Sequence, residues 1–155
     1  MKIIFLKLFM LFAISLYAKE EIAQKPFEEL IIGYNHGFIK AMQKRKFNHL
    51  QEYLTQQIYY KTRVWIESFQ ANNYFMQSML LEMKFEDLVV EQYSATFVTK
   101  EQWKYRYIDI RTNEVVKKPH LVDYKMKYFF VLLEDGTWKI NHIKILDEKE
   151  EEIKE

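Results

Sequence analysis

Cysteine is absent from this 155-residue chain, which excludes a disulfide framework and any thiolate chemistry. Glycine and proline occur only three and two times, too rarely for a disordered or loop-rich chain. With so few glycines there is no glycine-rich phosphate loop. His36, His49, His120 and His142 fall on separate segments without metal-ligand spacing. Neither a metal nor a cofactor is therefore expected. Charge of one sign is not in excess, with 23 basic against 22 acidic residues. No nucleic-acid motif stands out, so nucleic acid is not an expected partner.

What the chain does have is aromatic side chains, 17% of its residues, enough large apolar area for a core that lacks covalent staples. It also opens on an export-like segment. Lys2 and Lys7 flank a short n-region, and residues 8–18 form an uncharged, mostly apolar run. That is the length of a signal-peptide core and is short for a membrane span. Residues 1–18 are expected to be cleaved after Ala18, leaving a periplasmic or secreted protein. The alternative is an uncleaved anchor in the inner membrane facing the periplasm, and membrane contact is expected only in that case. Residues 19–146 then form one domain, and a disulfide-free exported domain fits a bacterial envelope. Residues 147–155, "DEKEEEIKE", read as an acidic tail, a solvated helix end or coil.

Hydrophobic spacing divides the domain in two. After Pro26, a helix is marked by Phe27, Leu30, Ile31, Tyr34, Phe38, Ala41 and Met42 at spacings of three and four, ending near Lys44, Arg45 and Lys46. Cations there suit the helix dipole. Gly33 and Gly37 lie on this helix, four apart, and are expected to let it approach a sheet closely. Asn48 is expected to cap a short helix, and Thr55 to open another with Ile58, Thr62, Trp65, Ile66 and Phe69 on one face. From residue 75 the period becomes two. Phe75, Met79, Leu81, Met83 and Phe85 mark a first strand, turned by Glu86-Asp87. The stretch "SATFVTKEQWKYRYIDI" is a long second strand, followed by a polar connection, 111–120. A third strand has Val122, Tyr124, Met126, Tyr128, Phe130 and Leu132 inward, and "EDG" turns into the last. In that last strand the apolar phase slips by one near Asn141-His142, which predicts a β-bulge. Helices followed by consecutive strands give an α+β fold, with N-terminal helices packed on a curved, roughly four-stranded antiparallel meander.

The strand "SATFVTKEQWKYRY", with an inward Glu and then Trp, followed by "DYKMKYFFVLLEDGTWKINHIKIL", resembles the NTF2-like superfamily. Within it the pattern is similar to the extracytoplasmic branch, which includes the intermembrane-space domain of plastid-division proteins and related bacterial envelope domains. The resemblance covers residues 26–146. It implies a cone-shaped fold with a pocket or cleft between the long helix and the concave sheet. It does not imply one activity, because the superfamily holds isomerases, dehydratases and binding modules. An isomerase-like use would need Glu101 as base and Tyr34, Tyr105 or Tyr128 as donors.

Glu101 is the residue that breaks the apolar phase of the second strand. Such a carboxylate either binds something or is a structural acceptor, with Arg63 or a tyrosine as partner. Trp103, Tyr105 and Tyr107 continue the same phase and, with Tyr34, are either core or the lining of a binding site. Lys100, Lys104, Arg106, Lys125 and Lys127 fall on the outer face of adjacent strands, a basic field that either attracts an acidic partner or keeps the face soluble. The expected function is an exported binding or assembly module of a bacterial envelope. The alternative is a small-molecule-binding or isomerase/dehydratase-like protein that uses the cone interior around Glu101. The expected partner is an envelope protein or a small apolar ligand, and a homodimer is left open.

Overall fold

The computed structural model describes residues 24–153. The expected signal segment, 1–18, lies outside them. Helix α1 covers residues 24–44 and buries Phe27, Ile31, Tyr34, Ala41 and Met42, the stripe its spacing predicts. It stops at Arg45, whose φ of 54° is left-handed and whose amide donates to the Ala41 carbonyl. A 3-10 turn, Asn48–Glu52, follows, with Phe47 in the cap position expected for Asn48. Helix α2, Gln56–Ala71, begins after an extended Thr55.

The strands are β1 (Tyr74–Val90), β2 (Ser94–Asp109), β3 (Val115–Leu132) and β4 (Trp138–Glu152). They form one antiparallel meander in the order β1-β2-β3-β4. The chain between the helices is stitched to the edge of β4. Thr55 N–H donates to Ile140 C=O at 3.0 Å, and Ile140 N–H donates to Tyr53 C=O at 2.8 Å. Gly136, with φ of 82°, makes the β3–β4 turn, and Asp135 accepts from the Thr137 amide and hydroxyl. The core lies between the helices and the concave face, where Phe97, Tyr128, Phe130 and Ile140 meet Phe27 and Ile31.

Bulges explain where the strand expectations fail. On β1 the register slips between Leu80 and Glu82 and again between Phe85 and Leu88. Each slip moves the side chains to the other face. Met76 and Ser78 are therefore buried before the first bulge, Met83 and Phe85 turn inward after it, and Met79 and Leu81 are exposed. Glu86-Asp87 is the second bulge rather than a turn, and the chain reverses at residues 91–93. The slip expected in β4 is present at Asn141. A further one, between Ile145 and Asp147, keeps β4 paired with β3 into the acidic segment. Residues 147–152 are thus strand, not coil or helix end. Likewise β3 takes in residues 115–120 of the expected polar connection.

Three packing expectations also change. A Cβ on Gly33 would sit 2.2 Å from the Tyr53 ring, and one on Gly37 3.2 Å from Leu50. Both glycines thus admit the 3-10 segment, not the sheet. Trp65, expected in the buried stripe of α2, is 45% exposed, while Ile58, Tyr59 and Ile66 are buried. Phe97 is fully buried against Phe85, with ring centroids 5.1 Å apart. Phe97→Ala should therefore lower unfolding free energy by about 3–5 kcal/mol. Trp65→Ala should cost about 1 kcal/mol, the scale of its partial stacking. Urea unfolding of both variants checks the pair, and equal losses would contradict the burial assigned here.

Candidate functional site

Glu101 sits on the concave face, 3% exposed. Antiparallel register places it beside Tyr124 of β3 and Met83 of β1. Its Oε1 accepts from the Thr99 and Tyr128 hydroxyls, both at 2.7 Å. Its Oε2 accepts from the Trp103 indole N–H at 2.8 Å and, more weakly, from the Asn35 amide at 3.5 Å. Thr99 and Trp103 flank it on β2, two residues away on either side, so strand pleat alone aims all three inward. Asn35 reaches it from α1. Arg63, the counter-ion weighed from sequence, pairs instead with Glu67 at 2.7 Å on the surface of α2. All of Glu101's hydrogen-bonding partners are neutral.

Above this carboxylate lies a cleft of about 510 Å³ between the helices and the sheet. Tyr34, Trp103 and Tyr105 line it, together with Phe38 and Trp65 from the helices and Tyr124 from β3. The rings form two faces. Trp103 and Tyr105 stack 3° from parallel at 5.8 Å, and Phe38 stacks on Trp65 at 5.8 Å. Ile143 and Ile145 of β4 supply aliphatic surface, and Lys61 stands at the mouth. The cleft thus gathers Glu101, Trp103, Tyr105 and Tyr34. Tyr107 lies outside it, its ring 6.0 Å from Phe69 with Lys117 above it.

The outer basic residues do not form an open field. Lys100 and Lys125 face each other across β2 and β3, and both reach Glu86, which the second β1 bulge places beside them. The bond from Lys100 holds the Glu86 carboxyl below its usual range. Arg106 donates to Gln77, and Lys127 covers the Phe129 ring. Lys104 shares this face, next to Met79 and Leu121 in register. Among the described residues no cluster of His, Asp or Glu is arranged to hold a metal ion.

Sequence reasoning missed Asn35, Lys61, Tyr124 and the role of Thr99. A signal existed for Thr99 alone, since it is the other polar residue in the inward phase of β2. Asn35 and Lys61 sit on helices, where no alternation exposes an anomaly.

Two helices laid across a curved four-stranded meander make an NTF2-like α+β cone. No family model and no curated protein matches the sequence. Solved structures do match. The intermembrane space region of chloroplast protein ARC6 superposes with a TM-score of 0.66 at 14% identity, over 79% of this chain and 95% of that one. A conserved protein from Planctomyces limnophilus DSM 3776 gives 0.51 at 12% identity, over 79% and 99%. The hexachlorocyclohexane dehydrochlorinase LinA-type3 from Novosphingobium barchaimii LL02 gives 0.52 at 9% identity, over 84% and 93%. At such identities the likeness shows the fold alone.

The electrostatics generate two expectations. Glu101→Gln removes a charge-assisted acceptor and sets an amide N–H against a donor. It should cost about 1–3 kcal/mol near neutral pH, and an unchanged melting temperature would contradict this network. Burial first, and then the Glu101 charge, push the Tyr34 and Tyr128 hydroxyls above their usual range. Burial first, then Tyr124, does the same for Tyr105. Unfolded tyrosines release protons near pH ~10, whereas these hold theirs in the folded protein. Their contribution to stability is therefore complete below about pH 10 and is lost as pH rises further. Denaturant midpoints should hold up to about pH 10 and fall as pH rises beyond it, while tyrosinate absorbance of the folded protein lags that of the unfolded chain.

Proposed function

We propose that this chain is an exported binding or assembly module of a bacterial envelope, which receives its partner or ligand in the aromatic cleft, with no catalysis assigned to it. One observation carries the reading: the carboxylate at the foot of the cleft is committed to four donors of its own chain. A general base must present a free oxygen to its substrate within hydrogen-bonding reach. Glu101 has its oxygens turned to Thr99, Tyr128, Trp103 and Asn35 instead. What faces the cleft is ring surface with a few hydroxyls, the usual lining of a site that binds. The isomerase-like alternative would need Glu101 to leave that network.

The exported location is supported by the signal-like residues 1–18 and by the likeness to a domain of an intermembrane space. Among the described residues no helix is long and apolar enough to cross a membrane.

Two measurements test the reading. The protein recovered from its host should begin near Lys19 by mass spectrometry; an intact Met1 on a membrane-bound protein would overturn the exported soluble form. A neutral apolar fluorophore, N-phenyl-1-naphthylamine, should bind saturably and quench tryptophan emission. Ile143→Trp, which fills the cleft, should abolish that binding. No saturable binding by the native protein would overturn the cleft as a site.

A further inference from the structure

We propose that the cleft is selective for organic cations: an ammonium or guanidinium group on an apolar stem, held against the aromatic faces in the field of the Glu101 carboxylate. This rests on the binding reading above and narrows it to a ligand class.

Neutral donors satisfy the lone pairs of Glu101, but they do not cancel its net charge. Arg63, the cation that sequence suggested as a counterweight, is committed to Glu67. Of the other charged groups bordering the cleft, Lys61 is exposed. A charge in water is felt through a dielectric of about 80, and one inside a protein through about 20, so at equal distance the buried charge acts roughly fourfold more strongly. Salt screens the exposed lysine further. The field inside the cleft is therefore that of Glu101.

Glu148 lies opposite Tyr124 in the β3–β4 register, on the inward phase, and Glu150 lies two residues further along; both are exposed, so the screening that weakens Lys61 weakens them too. Glu150 is paired with His120 at 2.8 Å. His142 borders the cleft, but its ring packs against Phe129, its register partner on the opposite face of the sheet. Burial is the main cause that raises the Tyr34, Tyr105 and Tyr124 hydroxyls, with Glu101 a lesser one at Tyr34 and Tyr105 and Glu148 at Tyr124.

The walls are suited to the same ligand. Indole and phenol faces carry negative potential and attract cations within about 6 Å, indole most strongly. Here Trp103 stacks beside Tyr105 on the sheet side, and Trp65 beside Phe38 on the helix side. Phe38 meets Trp103 edge-on at 6.4 Å, which joins the two walls at a corner. Trp65 is half exposed at the mouth, next to exposed Tyr60 and Val64 on α2, so an apolar stem has a surface on which to leave the cleft. An anion of the same shape would meet ring faces and a buried carboxylate, with only Lys61 in its favour.

The test is a matched trio of probes: meta-hydroxyphenyltrimethylammonium, its neutral isostere meta-tert-butylphenol, and meta-hydroxybenzenesulfonate. Each is titrated by calorimetry, with tryptophan emission followed in parallel. The cation should bind roughly tenfold tighter than the isostere, and the sulfonate weakest. Lys61→Gln, at an exposed position, should tighten the cation and loosen the sulfonate. Glu101→Gln should bring cation and isostere toward equal affinity; should that variant fail to fold, the Lys61→Gln result decides alone. Equal binding of cation and isostere by the native protein would overturn cation selectivity and leave the binding reading intact. Tightest binding by the sulfonate, weakened by Lys61→Gln, would likewise overturn it. Binding of none of the three, together with failure of the neutral fluorophore, would overturn both.

Discussion

The burial of one carboxylate, Glu101, sets the aromatic surfaces of the concave sheet. Taking Glu101 out of water is unfavourable unless its oxygens are hydrogen-bonded. The chain supplies donors from three elements: Thr99 and Trp103 on β2, Tyr128 on β3 and Asn35 on α1. Each has a position to hold. Trp103 must turn its N–H toward Oε2, which fixes the plane of the indole that forms the cleft wall. Tyr128 must keep its hydroxyl at Oε1, which sets the ring that Tyr34 meets edge-on at 6.2 Å. The same contacts that satisfy the charge thus orient the aromatic surfaces.

Curvature is the second constraint, and it comes from residues that leave the pairing. Edge strands β1 and β4 carry two bulges each. A bulge adds a residue to one strand only, which bends and twists it. Between β2 and β3 the register also slips opposite Arg106, where Pro119 lies on the partner strand. Proline has no N–H to give a ladder, so a slip is a site that tolerates it. The bulge at Glu86-Asp87 has a further consequence on the convex side. It brings Glu86 to Lys100 and Lys125, which would otherwise repel across adjacent strands.

How much of this is legible in the sequence follows from the range of each interaction. Helix α1, the alternation of β2 and the inward row of β3 depend on period alone, and their residues can be read directly. The Asn141 bulge is legible because both halves of β4 are apolar enough to show the slip. The β1 bulges are not, because Met79 and Leu81 are apolar yet exposed, and they imitate an inward phase that the backbone has left. The acidic end of β4 reads as coil for a related reason. Its pairing depends on a partner strand some thirty residues earlier, and its own composition is that of solvated chain. Glu101 announces itself by breaking a pattern, whereas its donors come from positions where asparagine, threonine and tyrosine are unremarkable.

The network also bears on how a site of this kind can act. A ligand that took a hydrogen bond from Glu101 would compete with three donors on the sheet and the weaker one from α1. A field, by contrast, needs no movement. The carboxylate acts across the cleft at a distance while its oxygens remain engaged, and the rings it orients provide the contact surface. Under the proposed binding role the two demands on one buried charge separate: its hydrogen bonds belong to the fold, and its electrostatic potential is left for a ligand in the cleft.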